Sequence, residues 1–367
     1  MKRSLALLAL VAMILSALVV VRLLALHDFN PTTTIKFGEV FEEHNEYAEE
    51  LLGEVVLAPE AGHDGKFFFS QAMDPFYLEP EDHAIYLDRP SYRAQRMAYP
   101  TLASLGGTLG ALGTAWGLIA VNIVAMVVGS VYTGLAATRM NLSPWFGLAF
   151  LFNPGMIVEL GIDGGGVVAM AGMMAGVYYM LQDRVWLAAV ALSIAALARE
   201  TMLIAAIGLA AFILFRCRRL EWKLAMPVTV VGAWWVYVRA RLDEALAQDT
   251  QALALPFQGI AGAFRGWVSS SGDALDLVVG CVVLLVALMV VVRSAISPTA
   301  LGWAAAGFAL LGVILSEPVW AKWFDSTRAL APVLTAYILM VPATSRTTAT
   351  PEELRESEIP LSSSSSS

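Results

Sequence analysis

The 367-residue sequence is 58% hydrophobic and 15% charged, with a mean hydropathy of +0.67, against about 45–50% and about 25% for ordinary soluble domains. That composition excludes a string of soluble domains and points to one integral membrane unit. The net charge of -8, with basic residues scattered singly, excludes a nucleic-acid surface, and two cysteines exclude a disulfide framework.

Residues 5–26 follow Met1-Lys2-Arg3 as an apolar run longer than the about 7–15 residues of a signal-peptide core, and no small-residue cleavage site follows. The run reads as an anchor whose basic flank stays in the cytoplasm. Residues 27–98 are then a long first extracytoplasmic loop, the one long polar segment of the chain. Its densest part holds Gly62-His63-Asp64-Gly65-Lys66-Phe67-Phe68-Phe69, then Asp74, then Tyr92-Arg93-Ala94-Gln95-Arg96-Met97-Ala98-Tyr99-Pro100. Residues 99–112 are too short and glycine-rich to span, and are expected to lie at the outer surface or dip into it. Residues 113–137 cross to Arg139. Residues 144–160 return, delivering Gly161-Ile162-Asp163-Gly164-Gly165-Gly166 to the outer face, and residues 167–181 go back to Arg184.

Residues 185–215 are interrupted only by Arg199-Glu200. One helix of that length would run about 46 Å, well past the hydrocarbon core of about 30 Å. A charge at the bilayer centre costs at least about 2.5–3.5 kcal/mol, so two short helices are expected, with the charged pair at the outer surface. Residues 224–238 lead out to a loop at 239–273, 274–292 lead back, 299–315 lead out to a loop at 317–328, and 329–342 cross last. The expectation is an all-α bundle of about ten spans in residues 1–343, with a disordered cytoplasmic tail at 344–367 rich in Ser, Thr, Glu and Pro. Arg139, Arg184, the Arg216–Arg219 cluster and Arg293 all fall on the inner side, as the positive-inside rule requires. Cys217 is expected to be a reduced thiol at the cytoplasmic face, and Cys281 a buried small hydrophobe.

This topology sends Asp64, Asp74, Arg93, Arg96, Asp163, Arg199, Glu200, Asp325 and Arg328 to one side of the membrane. Taken singly each has a plain structural reading: Asp74 and Asp325 as solvated loop carboxylates, Arg199-Glu200 as an ion pair, Asp163 as the N-cap of the next span, and Phe67-Phe68-Phe69 as interfacial packing. Taken together they suit a cavity in which arginines hold the phosphate of a lipid and a carboxylate takes the proton of an attacking hydroxyl.

The Gly-x-Asp-Gly-x-Phe setting of Asp64 and the Tyr-Arg-x-x-Arg-x-x-Tyr-Pro at 92–100 resemble the polytopic GT-C glycosyltransferases, in particular bacterial members of cell-surface glycopolymer formation. The Asp163 turn, Ala198-Arg199-Glu200-Thr201 and Asp325-Ser326-Thr327-Arg328 share in the likeness, which spans most of the chain. The resemblance implies sugar transfer from a polyprenyl-phosphate donor to a lipid-linked or cell-surface glycan acceptor, on the outer side of the bacterial cytoplasmic membrane. It implies Asp64 as general base, Asp163 as orienting the acceptor or base, and Arg199 and Arg328 on the donor phosphate, with Arg93 and Arg96 as alternatives. Lys66, Glu200 and Asp325 complete the candidate substrate-binding set. His63 stands where relatives often carry an aromatic ring, and the short chain without a soluble C-terminal domain favours a small or lipid-linked acceptor over a large protein.

No cofactor is expected. Asp163 is followed by glycines instead of a second carboxylate, which disfavours a metal-binding Asp-x-Asp. The four histidines, His27, His44, His63 and His83, share no compact ligand spacing. The rival readings are a transporter or flippase of a lipid-linked glycan, whose charges would sit near the bilayer midplane, and a non-catalytic membrane subunit.

Overall fold

The computed structural model describes residues 1–40, 42–242, 253–269 and 273–344. Among the described residues the structure is helical apart from one short parallel pair, Phe37–Gly38 beside Leu57–Ala58, and an isolated antiparallel bridge between Leu253 and Leu315. Among the described residues three helical stretches, Lys2–Leu24, Ala98–Arg139 and Ala274–Ile296, are long and apolar enough to cross a membrane. Two of them turn large apolar side chains outward, Leu7, Leu10, Ile14 and Leu18 on the first and Val278, Val282, Leu285 and Leu288 on the last. A helix apolar all round has its favourable solvent in hydrocarbon, so this is a membrane protein. Shorter apolar helices, among them Gly166–Met180, Val185–Ala198 and Ala300–Ile314, fill the centre of the bundle.

Several expected boundaries shift. Residues 98–109 fold back along the start of the helix Gly110–Arg139, with the turn at Gly110 (φ 80°). The stretch at 144–160 is broken: a helix ends at Leu151, Asn153 caps the next one, and Pro154 occupies its first turn. Asn followed by Pro is an N-cap and N1 pair, a signal that the apolar composition of this stretch had masked. The expected loop at 317–328 is two short helices, Glu317–Ala321 and Trp323–Ala329. Cys281 is exposed on its helix and not buried. The tail beyond residue 344 and the Cys217 side chain lie outside the described residues.

The break at Arg199-Glu200 is where charge placed it. The helix Val185–Ala198 ends, Arg199 is extended at φ −156°, and a 3-10 turn leads into Leu203–Cys217. Trp186 at the start of the first arm meets Trp222, just past the second, with ring centroids 5.3 Å apart. The two arms therefore double back on each other.

The first loop is a folded cap of short helices. Trp234 Nε1 donates to the Ala94 carbonyl at 2.7 Å and Tyr237 Oη to the Phe76 carbonyl at 2.7 Å, which ties the loop to the helix Met226–Arg241.

Candidate functional site

Asp64 precedes the helix Gly65–Met73, and its carbonyl accepts from the Phe67 and Phe68 amides. Its carboxylate makes no capping bond and is left for other partners. The two flanking glycines set this up. Gly62 lies at φ 63° with no room for a Cβ beside the Lys36 carbonyl, and a Cβ on Gly65 would stand 2.5 Å from the Ile35 carbonyl oxygen and 2.8 Å from that of Ile162. The Gly-x-Asp-Gly motif thus seats the aspartate against two backbone segments.

Three arginines converge on that carboxylate. Arg93 Nη1 donates to Oδ1 at 2.8 Å, while Arg96 Nη1 and Arg328 Nη2 stand 3.6 and 3.9 Å from Oδ2. Each arginine has a second anchor. Arg93 gives Nε and Nη2 to Asp88 at 2.8 and 3.0 Å and lies over the Phe67 ring at 4.2 Å. Arg96 forks onto Glu200 through Nε and Nη2, both at 2.9 Å. Arg328 reaches Glu159 at 2.9 Å and Asp325 at 3.1 Å, and Arg199 reaches the same Glu159 oxygen at 3.2 Å. Bidentate charge-assisted bonds of this kind fix a guanidinium in orientation as well as place.

The electrostatics follow from the packing. Burial alone raises the Asp64 carboxyl, but Arg93, Arg96 and Arg328 overcome it and hold it well below the ordinary carboxylate range. Burial likewise raises Glu200, and Arg96 brings it down to about 2. Lys66 is lowered to about 8 by burial, with Asp88 and Asp64 opposing the shift. It donates to the Ala61 carbonyl beneath the cluster.

Arg93, Arg96, Arg199, Glu200, Asp325 and Arg328 thus gather around Asp64 as one network, and Lys66 lies beside it, over the Phe67 ring. Asp74 is neither solvated nor in the network: it is buried, and its carboxylate accepts from the Leu78 and Glu79 amides to close a local turn. Asp163 also stands apart. It is fully buried at φ 45° among Thr34, Tyr99 and Asn122, and Gly165, not Asp163, is the N-cap of the helix Gly166–Met180. Burial pushes its carboxyl up to about 7, with Thr34, Asn122, Lys36 and Tyr99 pulling it partway back.

Two members of the network were missed in the sequence. Glu159 is 2% exposed and joins Arg199 to Arg328, and Asp88 orients Arg93. A lone glutamate in the apolar stretch 154–160 was the available signal for Glu159, since an ionisable group there needs a partner or a task.

The cleft among Asp64, Arg96, Glu159, Arg199 and Arg328 encloses about 10 Å³, room for about one water. A wider apolar cleft of about 580 Å³ opens between the first loop and the helix Met226–Arg241, and its lining includes Met97 and Leu197, close in sequence to Arg96 and Arg199. Among the described residues no group of three or more His, Cys, Asp or Glu side chains is placed to hold a metal ion. Comparison of the chain with protein-family models, curated proteins and solved structures finds no match.

Proposed function

We propose that this membrane protein is a glycosyltransferase that moves a sugar from a polyprenyl-phosphate carrier to a lipid-linked or cell-surface glycan. In this reading the chain crosses a bacterial cytoplasmic membrane about ten times, with the Asp64 network on the extracytoplasmic side. The observation that supports it most is the approach of Arg93, Arg96 and Arg328 to one carboxylate that the local helix does not use.

The chemistry assigned to the network is a displacement. An acceptor hydroxyl oxygen attacks the anomeric carbon, the bond from that carbon to the phosphate oxygen breaks, and the polyprenyl phosphate leaves with its charge on the arginines. The hydroxyl proton passes to Asp64. In the absence of donor Asp64 is a weak base, because the arginines stabilise its charge. A donor phosphate exchanges with Asp64 for those arginines, which raises the basicity of Asp64 at the moment a base is required. The closed cleft of about 10 Å³ agrees with a site that opens only by such an exchange. The apolar cleft beside it has the chemistry of a prenyl tail's seat.

The experiment is to incubate the purified full-length protein in nanodiscs with a panel of polyprenyl-phosphate sugars and follow release of polyprenyl phosphate. Wild type is expected to turn over at least one donor, and Asp64→Asn none. The variant is expected to keep its abundance, because each arginine retains a second carboxylate. Full turnover by Asp64→Asn would remove the assigned base.

A further inference from the structure

Beyond Asp88 and Phe67, the two side chains that hold Arg93, lies a pocket of about 390 Å³ built wholly from the first loop. This volume falls within the range of about 300–1,000 Å³ typical of small-molecule sites. Its charged groups are the carboxylates of Glu42, Glu43 and Asp88, and its apolar surface comes mainly from Phe67, Ile85 and Tyr86. We propose that this pocket seats the uncharged sugar chain of the acceptor, an inference that rests on the glycosyl-transfer reading above.

The lining decides the class of ligand. Among the described residues no lysine or arginine lines the pocket; Arg93 and Lys66 lie over the Phe67 ring, and at Glu42 and Glu43 a phosphate or a uronate meets like charge and is repelled. A neutral glycan matches both halves of the wall. Its hydroxyls donate to acceptor-only carboxylates, and the C–H face of a pyranose ring covers aromatic and aliphatic carbon. Arg96, Arg199 and Arg328 lie on the Asp64 side of Arg93, so donor and acceptor are sorted by charge across one guanidinium.

The wall is also rigid. Tyr86 stacks on Tyr47 with ring centroids 3.9 Å apart, Tyr47 Oη bonds His83 Nδ1 at 2.8 Å, and His44 Nε2 bonds Ser70 Oγ at 3.1 Å. A preformed wall spares a weakly binding glycan the cost of ordering it. Ile85 and Val40 line the pocket while remaining 65% exposed, so the core gains little from them.

Position gives the pocket its role. Asp88 takes two bonds from Arg93, whose third nitrogen goes to Asp64 at 2.8 Å. A sugar hydroxyl extending past Asp88 therefore comes within one guanidinium of the group assigned as base.

The test uses full-length protein in nanodiscs and saturation-transfer NMR with a panel of neutral hexose trisaccharides, each paired with its uronate-bearing counterpart. A neutral trisaccharide is expected to bind at least tenfold tighter than its uronate partner, and Ile85→Trp, which fills the pocket from an exposed position, to weaken it at least tenfold. In turnover, Ile85→Trp is expected to raise acceptor KM at least tenfold and leave the slow, acceptor-independent release of polyprenyl phosphate unchanged. The proposal is overturned if no neutral trisaccharide binds, if the uronates bind more tightly, or if Ile85→Trp binds as wild type does. The binding arm needs no donor: a trisaccharide lost in Ile85→Trp would support the pocket even if no donor turned over, an outcome that would sink the transferase reading alone.

Discussion

Glu159 Oε1 accepts from Arg328 Nε at 2.9 Å across 169 residues of sequence, and the same oxygen stands 3.2 Å from Arg199 Nη1. Its other oxygen accepts from the Gly166 amide at 3.1 Å, at the start of the next helix. One buried carboxylate thus holds two arginines and a helix end in register. Glu159→Gln keeps the shape and removes the charge. Breaking one side of a buried ion pair costs about 3–5 kcal/mol, and Arg328 keeps Asp64 and Asp325, so a loss near about 3 kcal/mol is expected in thermal unfolding. Sugar transfer is expected to fall at least a hundredfold, equivalent to about 2.7 kcal/mol of barrier. Wild-type transfer by this variant would show that Arg199 and Arg328 are placed without Glu159.

Asp163 makes a prediction of opposite character. Burial pushes its carboxyl up to about 7 in the folded protein, even with Thr34 and Asn122 drawing it back, against about 3.9 in an unfolded chain. Between those values the native state binds the additional proton. The stability this proton carries is complete below about pH 4 and is lost as pH rises through about 7, by up to about 4 kcal/mol. Asp163→Asn presents a neutral isostere at every pH. Its melting temperature is expected to exceed that of wild type at pH 8, by a margin that shrinks as pH falls and closes only at about pH 4. A variant that melts below wild type at pH 8 would show that Asp163 is ionised and stabilising.

These two acids also mark how far the sequence could be read. Asp64, Arg93 and Arg96 stood out because they crowd into the one polar segment, and the break at Arg199-Glu200 because charge at the bilayer centre is costly. The expected topology put Arg328 on the same side of the membrane as Asp64, but their approach depends on how the helix Trp323–Ala329 packs. Glu159 was hidden because a single carboxylate in an apolar run carries no motif. The burial of Asp163 was hidden because Thr34, Tyr99 and Asn122, the groups beside its carboxyl, come from distant parts of the chain. The folded interior of the first loop, including the acidic pocket, depends on pairings between its short helices that no periodicity records.

Trp234 couples the apolar cleft to the first loop. It donates to the Ala94 carbonyl, stacks on Tyr237 with centroids 5.2 Å apart, and meets the edge of Phe76 at 6.4 Å. Trp234→Ala removes the bond and the ring, and with the residue only half buried about 1–3 kcal/mol of local stability is expected to go with them. Limited proteolysis should cut the first loop faster, and donor KM should rise about tenfold with kcat little changed. Trp234→Phe keeps a ring without the donor, so an intermediate effect separates the hydrogen bond from the packing. An unchanged donor KM in Trp234→Ala would mean that the cleft does not receive the donor.

Arg96 is forked onto Glu200 and stands close to Asp64 and Tyr92. Arg96→Lys preserves the charge but replaces a planar fork with a point charge on a flexible stem, so it tests whether orientation matters beyond attraction. If the guanidinium exchanges Asp64 for a donor phosphate as one rigid unit, the lysine variant is expected to lose at least tenfold in kcat/KM for donor, with melting temperature lowered only slightly because Glu200 still has a cation beside it. Arg96→Ala should lose more of both, since it strips the half-buried Glu200 of its bidentate partner. Equal turnover by wild type and Arg96→Lys would reduce Arg96 to a structural tether of Glu200 and leave Arg93 and Arg328 as the phosphate's holders.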